Sequence, residues 1–122
     1  MEKRVLIVDD SIFIYEAMKG MLSNSSFQVI GHAKSGETAV ELYGELRPDL
    51  VTMDIVMPDM NGLETAQKIL ERYPDAKILM ISSLAYDDTI NEAEKIGACG
   101  FLSKPLEREA LIGALEQCLE ED

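Results

Sequence analysis

Two hydrophobic patterns alternate along the chain: short, nearly unbroken apolar runs, and longer stretches in which apolar residues recur with helical spacing. Arg4 to Val8 reads as a strand and Ile12 to about Leu22 as an amphipathic helix, and Ser23 to Ser26 forms the turn after it. Gln28 to Ala33 is the next strand. Glu37 to Leu46 is the next helix, with Ala39, Val40, Leu42 and Tyr43 on its core side and Arg47-Pro48 ending it. The third unit is Leu50 to Met53 followed by Leu63 to Tyr73, broken at Pro74-Asp75. Lys77 to Ile81 and Asp87 to Ile96 follow, with Gly97 as the helix stop, then Gly100 to Ser103 and Glu107 to Leu119.

Five βα units in succession predict a doubly wound (βα)5 α/β fold around a five-stranded parallel sheet. The strands are apolar throughout instead of alternating, as expected when helices cover both faces. Glu37, Glu41 and Glu45 share one side of the second helix and read as solvated surface. At 122 residues, the whole of 1–122 is expected to form one domain. Glu120-Glu121-Asp122 reads as a solvated tail.

Charge narrows the partners. The 11 Lys and Arg against 23 Asp and Glu give a formal net charge of -12, which disfavours nucleic acid and anionic membrane surfaces. Neither a membrane-length apolar run nor a signal-peptide pattern is present, so a cytoplasmic protein is expected. Cys99 and Cys118 lack metal-ligand spacing, and in that compartment they are expected to be buried small apolar residues, not a disulfide. Lone His32 reads as an edge-strand residue, and Met53, Met57, Met60 and Met80 read as packing.

The polar exceptions to this pattern fall at the carboxyl ends of strands. Strand 1 ends in Asp9-Asp10, strand 3 in Asp54, strand 4 in Ser82-Ser83 and strand 5 in Lys104-Pro105. Open parallel sheets bind ligands beyond these ends, near the point where strand order reverses, so the residues should converge. One such aspartate alone would more simply cap a helix or turn. Three carboxylates together repel unless protonated or bridged by a cation, and with only oxygen donors nearby that cation is Mg²⁺ or a similar ion. Lys104 could clamp a phosphoryl oxygen, and a serine hydroxyl at the end of strand 4 could donate to another.

The stretches "VLIVDDS" (Val5 to Ser11), "DIVMPDMNG" (Asp54 to Gly62), "ILMISS" (Ile78 to Ser83) and "GACGFLSKPL" (Gly97 to Leu106) occur in this order over nearly the whole chain. Together they resemble the receiver domain of two-component response regulators, the single-domain chemotaxis regulators especially. The resemblance implies a flavodoxin-like sheet of order 2-1-3-4-5. It implies Asp54 as phosphoacceptor from a histidine kinase or phosphotransfer protein, with Lys104 and Ser82 binding the phosphoryl group. Mg²⁺ is implied on Asp10, Asp54 and the backbone carbonyl of Val56, with Asp9 acting through a water. It further implies a Ser82–Phe101 switch and a cis Lys104-Pro105 peptide.

Phosphorylation would then reshape the surface of helix 4, strand 5 and helix 5, where Ile90, Phe101 and Leu106 could offer an effector-binding groove, with Ile90 and Leu106 otherwise read as ordinary core. With no output domain in the sequence, the effect is expected to pass to a separate protein, from a monomer or a weak phosphorylation-dependent dimer. Ile14 and Tyr15 stand where relatives often carry a basic residue. Val56 and Leu84 stand where relatives often orient a hydrolytic water, so a long-lived aspartyl phosphate is expected. Asp59, between Pro58 and Asn61-Gly62, is expected to belong to the loop before helix 3.

Two rivals share parts of this pattern. A phosphatase of the haloacid-dehalogenase type also uses a strand-end aspartate and Mg²⁺, but needs an acid two residues later, where this chain has Val56. A flavin module would need a phosphate-binding loop after strand 1, and "DDSIFIY" would repel phosphate. The expectation is therefore a signalling switch and not an enzyme with turnover.

Overall fold

The computed structural model describes residues 2–83 and 86–120. Leu84 and the tail residues Glu121 and Asp122 named above lie outside the described residues. The chain alternates β1 (Lys3–Val8), α1 (Ile12–Leu22), β2 (Phe27–Ala33), α2 (Gly36–Leu46), β3 (Leu50–Asp54), α3 (Gly62–Arg72), β4 (Ile78–Ser82), α4 (Asp87–Ile96), β5 (Gly100–Ser103) and α5 (Arg108–Glu120). All paired strands are parallel, in the order β2-β1-β3-β4-β5. This is the flavodoxin-like order, with its reversal between β1 and β3.

The double-sided core explains the apolar strands. On one face Leu6, Val8, Val51, Met53, Ile78 and Met80 pack against Ala39 and Tyr43 of α2, Ala66 and Ile69 of α3, and Ala93 of α4. On the other, Val5, Ile7, Leu50, Leu79 and Ile81 meet Met18 and Leu22 of α1 and Leu111 and Leu115 of α5. Val40 and Leu42 pack half-buried at the first core, and Glu37, Glu41 and Glu45 are exposed. Met53 and Met80 are core residues, and Met57 packs half-buried against the same core.

Local chemistry sets the helix ends. Ser11, Ser35 and Asn61 accept from the backbone N–H groups of Ile14, Thr38 and Glu64 and cap α1, α2 and α3. Gly97, with φ 97°, takes the left-handed conformation that stops α4. At the far end of α2 the Arg4 guanidinium donates to the carbonyls of Leu46 at 2.6 Å and Arg47 at 2.9 Å. Those carbonyls would otherwise be orphaned at the negative end of the helix dipole.

The expectation for the cysteines is overturned. Cys99 and Cys118 form a disulfide, with Cα atoms 5.2 Å apart. Cys99 immediately precedes β5, and α5 returns across that strand, placing buried Cys118 against it. Compartment and spacing say nothing about this return, which only the fold supplies. Among the described residues, no helix is long and apolar enough to cross a membrane.

Candidate functional site

Sheet register brings the polar strand ends together. Val8 pairs with Met53, so Asp9 and Asp54 end adjacent strands at the same level. Asp54 pairs with Ile81, the residue before Ser82, and Ser82 pairs with Ser103, the residue before Lys104. The first residue past β5 is tied back to β4, because the Lys104 N–H donates to the Ser82 carbonyl at 3.0 Å. β3 and β4 each run one residue further than the apolar pattern indicates, into Asp54 and Ser82.

One carboxylate oxygen from each of Asp9, Asp10 and Asp54 lies within 4.8 Å of the others. Asp9 and Asp54 are buried, Asp10 is exposed, and Ser82 is fully buried. Lys104 Nζ reaches into the group, 3.2 Å from Asp9 Oδ2 and 3.6 Å from Asp54 Oδ1. Asp9 Oδ1 accepts from the Ser11 N–H at 2.9 Å, so this acid is held at both oxygens. The peptide between Lys104 and Pro105 is cis.

One ammonium faces three carboxylates, and the imbalance is visible in Asp54. Burial first, then the Asp9 charge, raise its pKa from 3.8 to about 6, and Asp10 adds to this; Lys104 and the Val56 N–H oppose them. A cluster of hard oxygen donors carrying excess negative charge is what a small divalent cation neutralises, so the residues fit Mg²⁺. No sulfur or imidazole ligand belongs to the cluster.

Other residues separate from this group. Asp59 takes no part in the cluster: its carboxylate accepts from the Gly36 N–H at 3.1 Å and the Glu37 N–H at 3.3 Å, at the start of α2. The Gly36 bond leads the causes that hold its pKa below the usual carboxylate value. Phe101, on β5, is half-buried and lines a cavity of about 250 Å³ together with Ile90, Ala93 and Ala98. Leu106 is half-buried against the α1 and α5 face. Val56 exposes 55% of its surface beside Asp54.

Hydrophobic patterning missed two residues beside the site. His32 Nε2 lies 2.8 Å from the backbone oxygen of Asp9, and its ring stacks on Tyr15. The available signal was position, since His32 lies near the carboxyl end of a strand, as the acids do.

A doubly wound sheet whose switch point carries a buried aspartate, two further acids and a lysine narrows the class of protein more than the fold alone does. The family model described as the response regulator receiver domain matches residues 5–116, and the chain belongs to that family. The chain is 42% identical to the chemotaxis protein CheY of Thermotoga maritima over 117 residues, covering 96% of this chain and 98% of that protein. Among solved structures it resembles the crystal structure of the CheX-CheY-BeF3-Mg complex from Borrelia burgdorferi, with TM-score 0.94 and 32% identity over 98% of this chain and 90% of that one. The response regulator domain of Thermotoga maritima CheB matches with TM-score 0.88 and 33% identity, over 100% of both chains. Receiver domains are signalling switches of two-component systems, and they bind Mg²⁺ through an acidic pocket of the kind that Asp9, Asp10 and Asp54 form.

Proposed function

We propose that this receiver domain is a CheY-like, cytoplasmic phosphorylation switch that accepts a phosphoryl group on Asp54 and passes the signal to a separate protein. The observation that carries the reading is Asp54 itself. It is a buried carboxylate at a strand end, 3.6 Å from Lys104 and beside two further acids.

An Asp54 oxygen attacks the phosphorus of a phosphohistidine on a kinase or phosphotransfer protein. The P–N bond breaks as the O–P bond forms, the imidazole leaves with the nitrogen's electron pair and takes up a proton, and an acyl phosphate results. The carboxylates of Asp10 and Asp54 and the carbonyl of Val56 would hold Mg²⁺, with Asp9 acting through a water, and the ion would supply neutralisation of the phosphoryl charge. Lys104, already placed between Asp9 and Asp54, pairs with a phosphoryl oxygen. Ser82, buried at the end of β4, donates its hydroxyl to another.

The added charge and acceptor oxygens draw Ser82 and Lys104 toward Asp54. Phe101, on the neighbouring strand, follows Ser82 inward and repacks the cavity it shares with Ile90. The outward signal is a changed α4–β5–α5 face, read by an effector protein. Family membership and the absence of an acid at Val56 both argue against phosphatase turnover.

Incubation with a small acyl phosphate and Mg²⁺ tests the reading. One acid-stable, hydroxylamine-sensitive phosphate per chain is expected, lost in Asp54→Asn. Turnover of many equivalents, or labelling that survives Asp54→Asn, would reject it.

A further inference from the structure

His32 is the chain's one histidine, and the phosphoryl chemistry leaves it unused. It is aimed by an irregularity in β2. Val5 of β1 pairs with Val29, but Leu6 pairs with Gly31, so one extra residue, Ile30, is inserted in β2. A one-residue slip exchanges the faces of a strand. His32 thus comes opposite Ile7, on the face that α1 covers.

There the imidazole is clamped. The Tyr15 ring of α1 lies parallel to it, with centroids 4.0 Å apart and planes 2° apart. Lys19 Nζ, one turn further along α1, is 5.8 Å from the Tyr15 centroid. His32 Nε2 is 2.8 Å from the Asp9 backbone oxygen, and since a carbonyl only accepts, Nε2 carries the hydrogen and donates. The Asp9 N–H donates to the Ala33 carbonyl at 3.0 Å. Both backbone groups of Asp9 are therefore held by β2, one by its main chain and one by a side chain.

The Asp9 carbonyl belongs to the peptide that leads into Asp10, so fixing it fixes the direction in which Asp10 leaves the strand. Asp10 has little else to orient it. It is exposed, and no hydrogen bond or ion pair to a described residue holds its carboxylate, whereas Asp9 has both Ser11 and Lys104. We infer that His32, clamped by Tyr15, is a positioning residue for the cation site: it orients the Asp9–Asp10 peptide so that the Asp10 carboxylate is presented alongside those of Asp9 and Asp54. This rests on the function proposed above.

Side-chain reach makes the inference testable. Glutamine can place its amide nitrogen where His32 has Nε2, whereas asparagine reaches only as far as Nδ1. The full chain is titrated with MgCl2 alone by calorimetry near pH 8 as wild type, His32→Gln, His32→Asn, Tyr15→Phe, Tyr15→Ala and Asp10→Asn, with each thermal midpoint measured without the cation. His32→Gln and Tyr15→Phe are expected to stay near wild-type affinity, and His32→Asn and Tyr15→Ala to weaken it about tenfold, as loss of a residue that orients a ligand does. Wild-type affinity in His32→Asn, equal losses in His32→Gln and His32→Asn, or losses that track the thermal midpoint across the set would overturn the inference. If Asp10→Asn abolishes binding and His32→Asn leaves it intact, the inference fails and the proposed function stands. A wild-type chain that binds no Mg²⁺ overturns both.

Discussion

A Cβ placed on Gly62 would lie 2.8 Å from the carbonyl carbon of Asp54, and closer still to its oxygen. The Gly62 N–H also donates to the Ile55 carbonyl at 2.7 Å, so the first residue of α3 is drawn tightly under the end of β3. Gly62→Ala must push Asp54 or the helix aside, and is expected to cost about 1–3 kcal/mol in a urea melt. Phosphate uptake from an acyl phosphate should fall with it. Gly113→Ala is the control, because a Cβ there meets nothing within 4 Å. Equal stability and uptake in the two variants would contradict the close approach.

The raised Asp54 pKa predicts a dependence of stability on pH. The folded chain keeps a proton on Asp54 up to about pH 6, whereas the ordinary value is 3.8. Between these values the folded state binds more protons than the unfolded one. This group's stabilising contribution is therefore complete below the ordinary value and is lost as pH rises through about 6. Asp54→Asn cannot charge and escapes the loss. In chelator, the variant is expected to exceed wild type by about 1–3 kcal/mol near pH 7.5, with the gap closing toward pH 4. Urea titrations at the two pH values check this, and a wild-type chain as stable as the variant at the higher pH would refute it.

The fold and the main cluster were legible because they rest on periodicity and chain order. The strands are apolar on both faces, so Asp9, Asp54, Ser82 and Lys104 stand out where they end, and parallel topology carries those ends to one edge. Helix boundaries at Ile12 and Asp87 followed from local signals alone. What escaped depends on contacts between distant segments. The extra residue at Ile30, which turns His32 toward Tyr15, leaves no mark on an apolar strand pattern. Asp59 was read as part of the loop before α3, and it does lie there, yet its carboxylate serves the start of α2. The pairing of Cys99 with Cys118 likewise needs the return of α5.

That pairing carries its own prediction. The disulfide closes a loop with sequence separation 19, which by loop entropy stabilises the folded chain by about 3 kcal/mol. A reductant should lower the urea midpoint of the wild-type chain. The Cys99→Ala, Cys118→Ala double variant should start from a lower midpoint and show no response to reductant. A midpoint indifferent to reductant in the wild type would remove the crosslink from the folded protein in solution.

Val56 is predicted to set how long the proposed aspartyl phosphate lasts. Its side chain is 55% exposed beside Asp54 and carries neither donor nor acceptor, so it cannot orient a water for attack on an aspartyl phosphate. Its role in the site is played by backbone groups, the N–H that bonds Asp54 and the carbonyl proposed for the cation, and these survive substitution. Val56→Asn is therefore expected to bind Mg²⁺ and to accept phosphate as wild type does, but to lose it several-fold faster, short of the roughly hundredfold that a positioned general base contributes. Val56→Ile, equally mute chemically, should leave the lifetime unchanged. Following the decay of labelled protein after removal of the phosphodonor separates the outcomes. Decay of Val56→Asn at the wild-type rate would mean that the lifetime is set elsewhere in the site.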